Sequence, residues 1–204
     1  GLGNRFVTPD SLGPSTIDRT LVTRHAVENG FSRAKMRSVA AIAPGVLGIT
    51  GVETVEMVES LVKKLSPRLV ICIDALAARA SSRIGAAIQL TDAGIQPGGG
   101  VGNHRKPLNR ETLGVDVVAV GMPTVIYAAT LARDAFALLS EENSNDSELD
   151  AIERELLGDP AGEMIVTPRE IDSIIQDASG ILASGINRAL HPNLSDAEIA
   201  AMMD

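Results

Sequence analysis

The sequence predicts an α/β fold built on a parallel sheet, and three observations carry that prediction. The apolar residues are of one kind: 45% of the chain is hydrophobic, yet it holds only three Phe, one Tyr and no Trp. A core of Ala, Val, Ile and Leu suits helices laid on strands that are buried on both faces. The run Leu69–Ile73 (LVICI) leads five apolar residues straight into Asp74. Unbroken rather than alternating, and bounded by an acid, it reads as a central parallel strand. Just ahead of it, Val52–Leu65 puts Val55, Val58, Leu61, Val62 and Leu65 on one side of a helix and Glu53, Glu56, Glu59, Lys63 and Lys64 mainly on the other, as in a helix packed on a sheet. With 204 residues and apolar residues spread throughout, residues 1–204 read as a single domain with a sizeable core.

The elements follow in order. Gly1-Leu2-Gly3-Asn4 has the composition of a turn after a strand. Neither that strand nor an initiating Met precedes it, so an N-terminal part with at least one sheet strand is expected ahead of Gly1. Val7-Thr8-Pro9-Asp10 leads into a helix in which Pro14 is tolerated in the first turn and Ile17, Leu21, Val22 and Ala26 share a face. Asp10 therefore lies on a loop between strand and helix. His25 falls at the far end of that helix, where a histidine commonly meets terminal carbonyls and the helix dipole. Ser38–Ala43 reads as the next strand, stopped by Pro44-Gly45, and Gly48–Gly51 as a glycine-rich turn. In the helix Val52–Leu65 acids lead and lysines trail, which complements the dipole, and Pro67 closes it. The stretch Leu69–Arg79 then gives the central strand, with Asp74 at its carboxyl end and a small-residue turn after it.

Beyond it, Ile84–Asp92 reads as a short strand that also ends in an acid, and Gln96–Asn103 is a loop with four glycines in five positions. No Lys-Ser/Thr pair follows that loop, and Gly1-x-Gly3 lacks the third glycine of a dinucleotide fingerprint, so neither nucleotide motif is satisfied. Glycines at this density let a backbone approach another chain closely, whether a peptide substrate or its own turn. His104, Arg105 and Lys106 read as a solvated loop. Val115–Gly121 is a further buried strand, and Pro123 is expected to open a helix over Thr124–Leu139. Ser140–Asp150 (SEENSNDSELD) reads as an acidic linker. After Met164-Ile165-Val166, a helix capped around Thr167–Glu170 runs to about Ala189, His191 sits in a loop, and Ser195-Asp196 starts a last short helix.

Composition narrows the function. A net charge of −8 disfavours a binder of nucleic-acid backbone, which needs a basic stripe. Cys72 is the only cysteine and lies inside an apolar strand, so no internal disulfide forms, thiolate chemistry is disfavoured and an intracellular, reducing setting is the default. No apolar run approaches the ~20 residues of a membrane span, and no signal peptide is visible. Asp10 and Asp74 are the candidate site residues, because the loop after the first strand and the end of a central strand both lie at the carboxyl edge of a parallel sheet, where such folds keep their chemistry. Each could instead serve as an ordinary cap or turn residue.

Several long motifs occurring in one order then become specific: GLGNRFVTPDSLGP, LVTRH, SVAAIAPGVLGITGVET, VICIDALAAR, QLTDAGIQPGGGVGN, ETLGVDVVAVGMPTV, MIVTPREID and ILASGINRALH. Together they resemble the germination protease family of spore-forming bacteria over most of the chain. The resemblance implies a three-layer α/β/α sandwich around a mostly parallel sheet, related to the hydrogenase maturation proteases. It also implies an endopeptidase that degrades small acid-soluble spore proteins in the cytoplasm of the spore core, made as a zymogen with an N-terminal propeptide and assembled as a tetramer. The family's aspartate pair matches Asp10 in TPDSLGP and Asp74 in IDALAAR, with no cofactor. Two departures stand out: the segment around Ser140–Pro160 is shorter than the family pattern, and Tyr127 occupies a position where an acid is expected.

Rival readings stay open at this point. Two carboxylates held close share one proton, so that one activates water while the other polarises the scissile carbonyl. In a metal-dependent maturation protease Asp10 and Asp74 would instead be ligands beside a histidine. GLGN and TRH near the start also suggest peptidyl-tRNA hydrolase, against which the acidic balance and the long spacing between the motifs both count. A non-enzymatic binding protein on the same scaffold would show no converging acids.

Overall fold

The structure, a computed structural model, describes residues 1–30, 35–98, 106–139 and 146–203. Its strands are β1 (Leu69–Ala78), β2 (Gln89–Thr91), β3 (Asp116–Tyr127) and β4 (Ile165–Val166). Its helices are α1 (Leu12–Ile17), α2 (Arg24–Glu28), α3 (Leu47–Thr50), α4 (Thr54–Leu65), α5 (Arg110–Leu113), α6 (Ala128–Leu139), α7 (Asp146–Leu156), α8 (Ile171–Leu190) and α9 (Asp196–Ala201). β1 and β3 form a long parallel pair from Leu69 against Asp116 to Ala78 against Ile126. β2 and β4 pair antiparallel with β3, at Ala119–Gly121 and Ile126–Tyr127. Among the described residues the sheet is thus mixed, where a mostly parallel one was expected. None of the described helices is long and apolar enough to cross a membrane.

The unbroken apolar run of β1 is explained by what covers it. Ile73, with Val120 and Met122 of β3, packs against Leu12 of α1 and against Ile171, Ile175 and Leu182 of α8. Cys72, one residue earlier, joins Val117 of β3, Val55 of α4, Leu113 of α5 and Leu108. Successive strand side chains point to opposite faces, so adjacent positions enter different clusters and both must be apolar.

Several boundaries differ from the sequence reading, each for a tertiary reason. β1 runs on past Asp74, which stands in its middle, because Ala75–Ala78 still find partners on β3. Pairing there overrides the weak strand preference of alanine. β3 likewise continues through Pro123, where a helix start was expected, and α6 begins only at Ala128. Thr124–Tyr127 are β-forming residue types, and Pro123 sits beside an irregularity: Leu76 faces Pro123 and Ala77 faces Val125, which leaves Thr124 as the extra residue of a β-bulge. Ile84–Asp92 yields only the three residues of β2, after a short 3₁₀ turn at Ser81–Arg83.

Ser38–Ala43 forms no strand; the Val39 carbonyl instead accepts the amides of Thr23 and Arg24. The first helix is split into α1 and α2, since Asn187 Oδ1 takes the Leu21 amide at 2.8 Å and Thr23 Oγ1 donates to the Arg37 carbonyl. His25 is consequently in the first turn of α2, exposed. The end of the supposed linker Ser140–Asp150 belongs to α7, tied to α6 by the Arg133–Asp150 ion pair at 3.0 Å; residues 140–145 lie outside the described residues. His191 follows the last turn of α8 and is fully buried rather than a plain loop residue. The helices Thr54–Leu65 and Asp196–Ala201 form as expected, the latter with a reciprocal Ser195/Glu198 capping box.

Candidate active site

The segment before α1 and the middle of β1 build one cleft of about 760 Å³, and both Asp10 and Asp74 line it. Asp10 ends a single 3₁₀ turn, Thr8–Asp10, whose proline presets the backbone. Its Oδ2 accepts the Asn4 amide at 2.7 Å. That bond requires the chain to turn sharply beneath the carboxylate, and Gly3 makes the turn with φ +103°. A Cβ on Gly3 would collide with the Asp10 carbonyl oxygen. The GLGN motif is thereby accounted for as the cradle of Asp10.

Asp74 is in a different environment. It stands on β1 opposite Gly121 of β3 and is only 6% exposed. Its Oδ1 accepts the amide of Ala75 at 3.0 Å. Burial first, and then the charge of Asp10, push its carboxyl up from the ordinary 3.8 to about 7, while the Ala75 amide pulls the other way. The charge of the Gly1 ammonium also favours the ionised form, but burying a carboxylate is costly and the upward push wins, so the proton is held to a higher pH than usual. The two acids therefore influence each other across the cleft although one lies before the first helix and the other mid-strand.

The remaining expectations divide. Asp92 is exposed after β2 and does not line the cleft. Of the glycine-rich loop, Gln96, Pro97 and Gly98 line the cleft, and residues 99–105, His104 and Arg105 included, lie outside the described residues. Among the described residues no three of His, Cys, Asp or Glu converge as a metal donor set, His25 being exposed on α2 and His191 buried behind α8. Cys72 is buried, and that burial raises its thiol to about 11, as expected for an inert core cysteine. Sequence reasoning missed Thr124, Arg79 and Arg83, which also line the cleft. Reading Thr124 as a helix start hid it. Arg79 follows directly on β1 and Arg83 ends the 3₁₀ turn after it, so tracing the strand past Asp74 leads to both.

The sequence model of the germination protease family matches residues 1–156 and 142–203. A germination protease of Clostridium perfringens is 47% identical over 95% of this chain and 65% of its own length. Those of Clostridium acetobutylicum and Bacillus pumilus are 46% and 38% identical over 98% and 96% of the chain, each over 66% of its own length. The chain thus spans about 65% of the length of the first of these relatives. On the extent of these matches, the chain belongs to the germination protease family.

Proposed function

We propose that the chain is the catalytic part of an endopeptidase that degrades small acid-soluble spore proteins during germination, and that Asp10 and Asp74 activate the attacking water. The observation that carries this reading is the presence of both carboxylates in one cleft in unlike surroundings, one cradled by an amide and one buried. Pairs of titratable groups whose environments push their pKa values apart are suited to divide acid and base work. Asp74, raised to about 7, holds its proton below that pH and donates it toward the scissile carbonyl oxygen. Asp10 takes a proton from water as the water oxygen bonds to the carbonyl carbon, and passes it to the amide nitrogen when the carbon–nitrogen bond breaks. Water is consumed and the shared proton returns to the pair, whose titration belongs to both groups.

The two apolar clusters on opposite faces of β1 and β3 support reading the fold as a three-layer α/β/α sandwich. A homotetramer is part of the same proposal; the strongly exposed Leu138 and Leu139 at the end of α6 support a contact between copies, and light scattering of the full-length protein is expected to give the tetramer mass rather than the monomer mass.

The deciding experiment is cleavage of a small acid-soluble spore protein by full-length Asp10→Asn and Asp74→Asn variants, with and without a chelator. Loss of cleavage in both variants, with folding intact and wild-type cleavage insensitive to chelation, is expected. Either variant cleaving at the wild-type rate removes that aspartate from the mechanism. Activity lost on chelation and restored by added ion would replace the pair with a metal centre.

A further inference from the structure

The β-bulge in β3 has a single extra residue, Thr124, with no partner on β1. Its side chain is completely buried, yet it lines the cleft, and its Oγ1 donates to the Pro9 carbonyl at 2.7 Å. The Thr124 carbonyl accepts Thr167 Oγ1 at 2.8 Å, so the bulge is anchored from a second side just ahead of α8. The Pro9 carbonyl and the Asp10 amide are two ends of one peptide group, and the Asp10 amide donates to the Val7 carbonyl at 2.8 Å. The peptide plane that carries Asp10 is therefore held at both ends, one end by the hydroxyl of a residue on the sheet. Bulges interrupt the ladder and re-aim a side chain, and active sites are among the places where they are over-represented.

Resting on the aspartate-pair reading, we propose that Thr124 is a positioning residue: through the Pro9 carbonyl, its hydroxyl sets where the Asp10 carboxylate stands relative to Asp74. It acts through the peptide and touches no reacting atom. Without the hydroxyl the Pro9–Asp10 peptide group keeps only the anchor of the Asp10 amide on Val7, its plane can tilt, and the base moves off the line of attack while the rest of the cleft still binds the peptide.

The test uses the full-length protein, small acid-soluble spore protein as substrate, and the variants Thr124→Val, Thr124→Ala and Thr124→Ser. Misplacing a catalytic group by a fraction of its contact distance costs rate, so Val and Ala are expected to lower kcat by about tenfold or more and leave KM within about twofold. Ser, which keeps the hydroxyl, is expected to restore kcat to within about threefold of wild type. The alkaline limb of the kcat profile should also move to lower pH in Val and Ala as the Asp10 charge leaves Asp74. If Val proves unfolded, the Ser and Ala pair decides, since both lack the methyl group and differ by the hydroxyl. Ala matching Ser in kcat and in its pH limb, whatever its stability, overturns the proposal. Asp10→Asn and Asp74→Asn run alongside: both inactive with Thr124→Ala like wild type sinks the role of Thr124 alone, whereas an active Asn variant sinks the aspartate pair itself.

Discussion

Replacing Asp74 by Asn should make the protein more stable in alkaline solution, and the size of the effect follows from burial. In the unfolded chain the carboxyl titrates near 3.8, and in the fold burial and the Asp10 charge hold it at about 7. Between those values the folded protein keeps a proton that the unfolded chain releases, so stability falls as pH rises. At ~1.36 kcal/mol per unit, a shift of about three units removes up to about 4 kcal/mol by pH 8. Well below the unfolded value of 3.8 both states are protonated and none of this stability is lost. Asn has nothing to release, and its Oδ1 can still accept the Ala75 amide, while its buried NH₂ group adds an offset of ~1–3 kcal/mol that does not change with pH. The signature is therefore the slope of the difference rather than its value at one pH. Urea unfolding of full-length wild type and Asp74→Asn at fixed protein concentration, in steps from pH 4 to pH 8, measures it. A difference that stays flat across that range would refute the claim that Asp74 is held protonated by the fold.

Other outcomes are accessible to the same methods. His191 has no exposure, and burial, with the Arg37 charge adding to it and a hydrogen bond to the Leu21 backbone opposing it, holds its pKa below the ordinary 6.5; stability should be complete above pH 6.5 and fall below it, and thermal unfolding of His191→Phe between pH 7 and pH 5 should show a smaller drop than wild type. Gly3→Ala places a Cβ against the Asp10 carbonyl at φ +103° and should cost ~1–3 kcal/mol in urea while abolishing most cleavage. Leu12, fully buried between α8 and the sheet, should lose about 2–5 kcal/mol when changed to Ala. Cys72, raised to about 11 by burial, should resist alkylation at pH 7.5 in the folded protein and react promptly in urea.

Much of this was legible without coordinates. The unbroken run before Asp74 identified a strand buried on both faces, and the 3.6-residue period of Val52–Leu65 identified its covering helix, observed from Thr54, because local pattern and global burial agree there. Both acids could be picked out as candidates, Asp74 from the apolar run it bounds and Asp10 from its loop ahead of a helix. Where the reading failed, a partner distant in sequence had overridden local preference. Pro123 signals a helix start in isolation, but β1 supplies a pairing edge that carries β3 past it. Ser38–Ala43 has strand composition, but its Val39 carbonyl is taken by the turn before α2.

What the sequence by itself determined is therefore the inventory and its local posture: which stretch is buried on both faces, that Asp74 belongs to it, and that Asp10 lies on a loop ahead of a helix. Only the tertiary structure decided how the two acids differ. The charge state of a carboxyl depends on what surrounds it in space, and the surroundings of Asp74 come from β3 and from Asp10, while those of Asp10 come from Gly3, Asn4 and the bulge at Thr124. Hydrogen bonds and desolvation act over a few ångströms whatever the distance along the chain, so no pattern in sequence spacing encodes them.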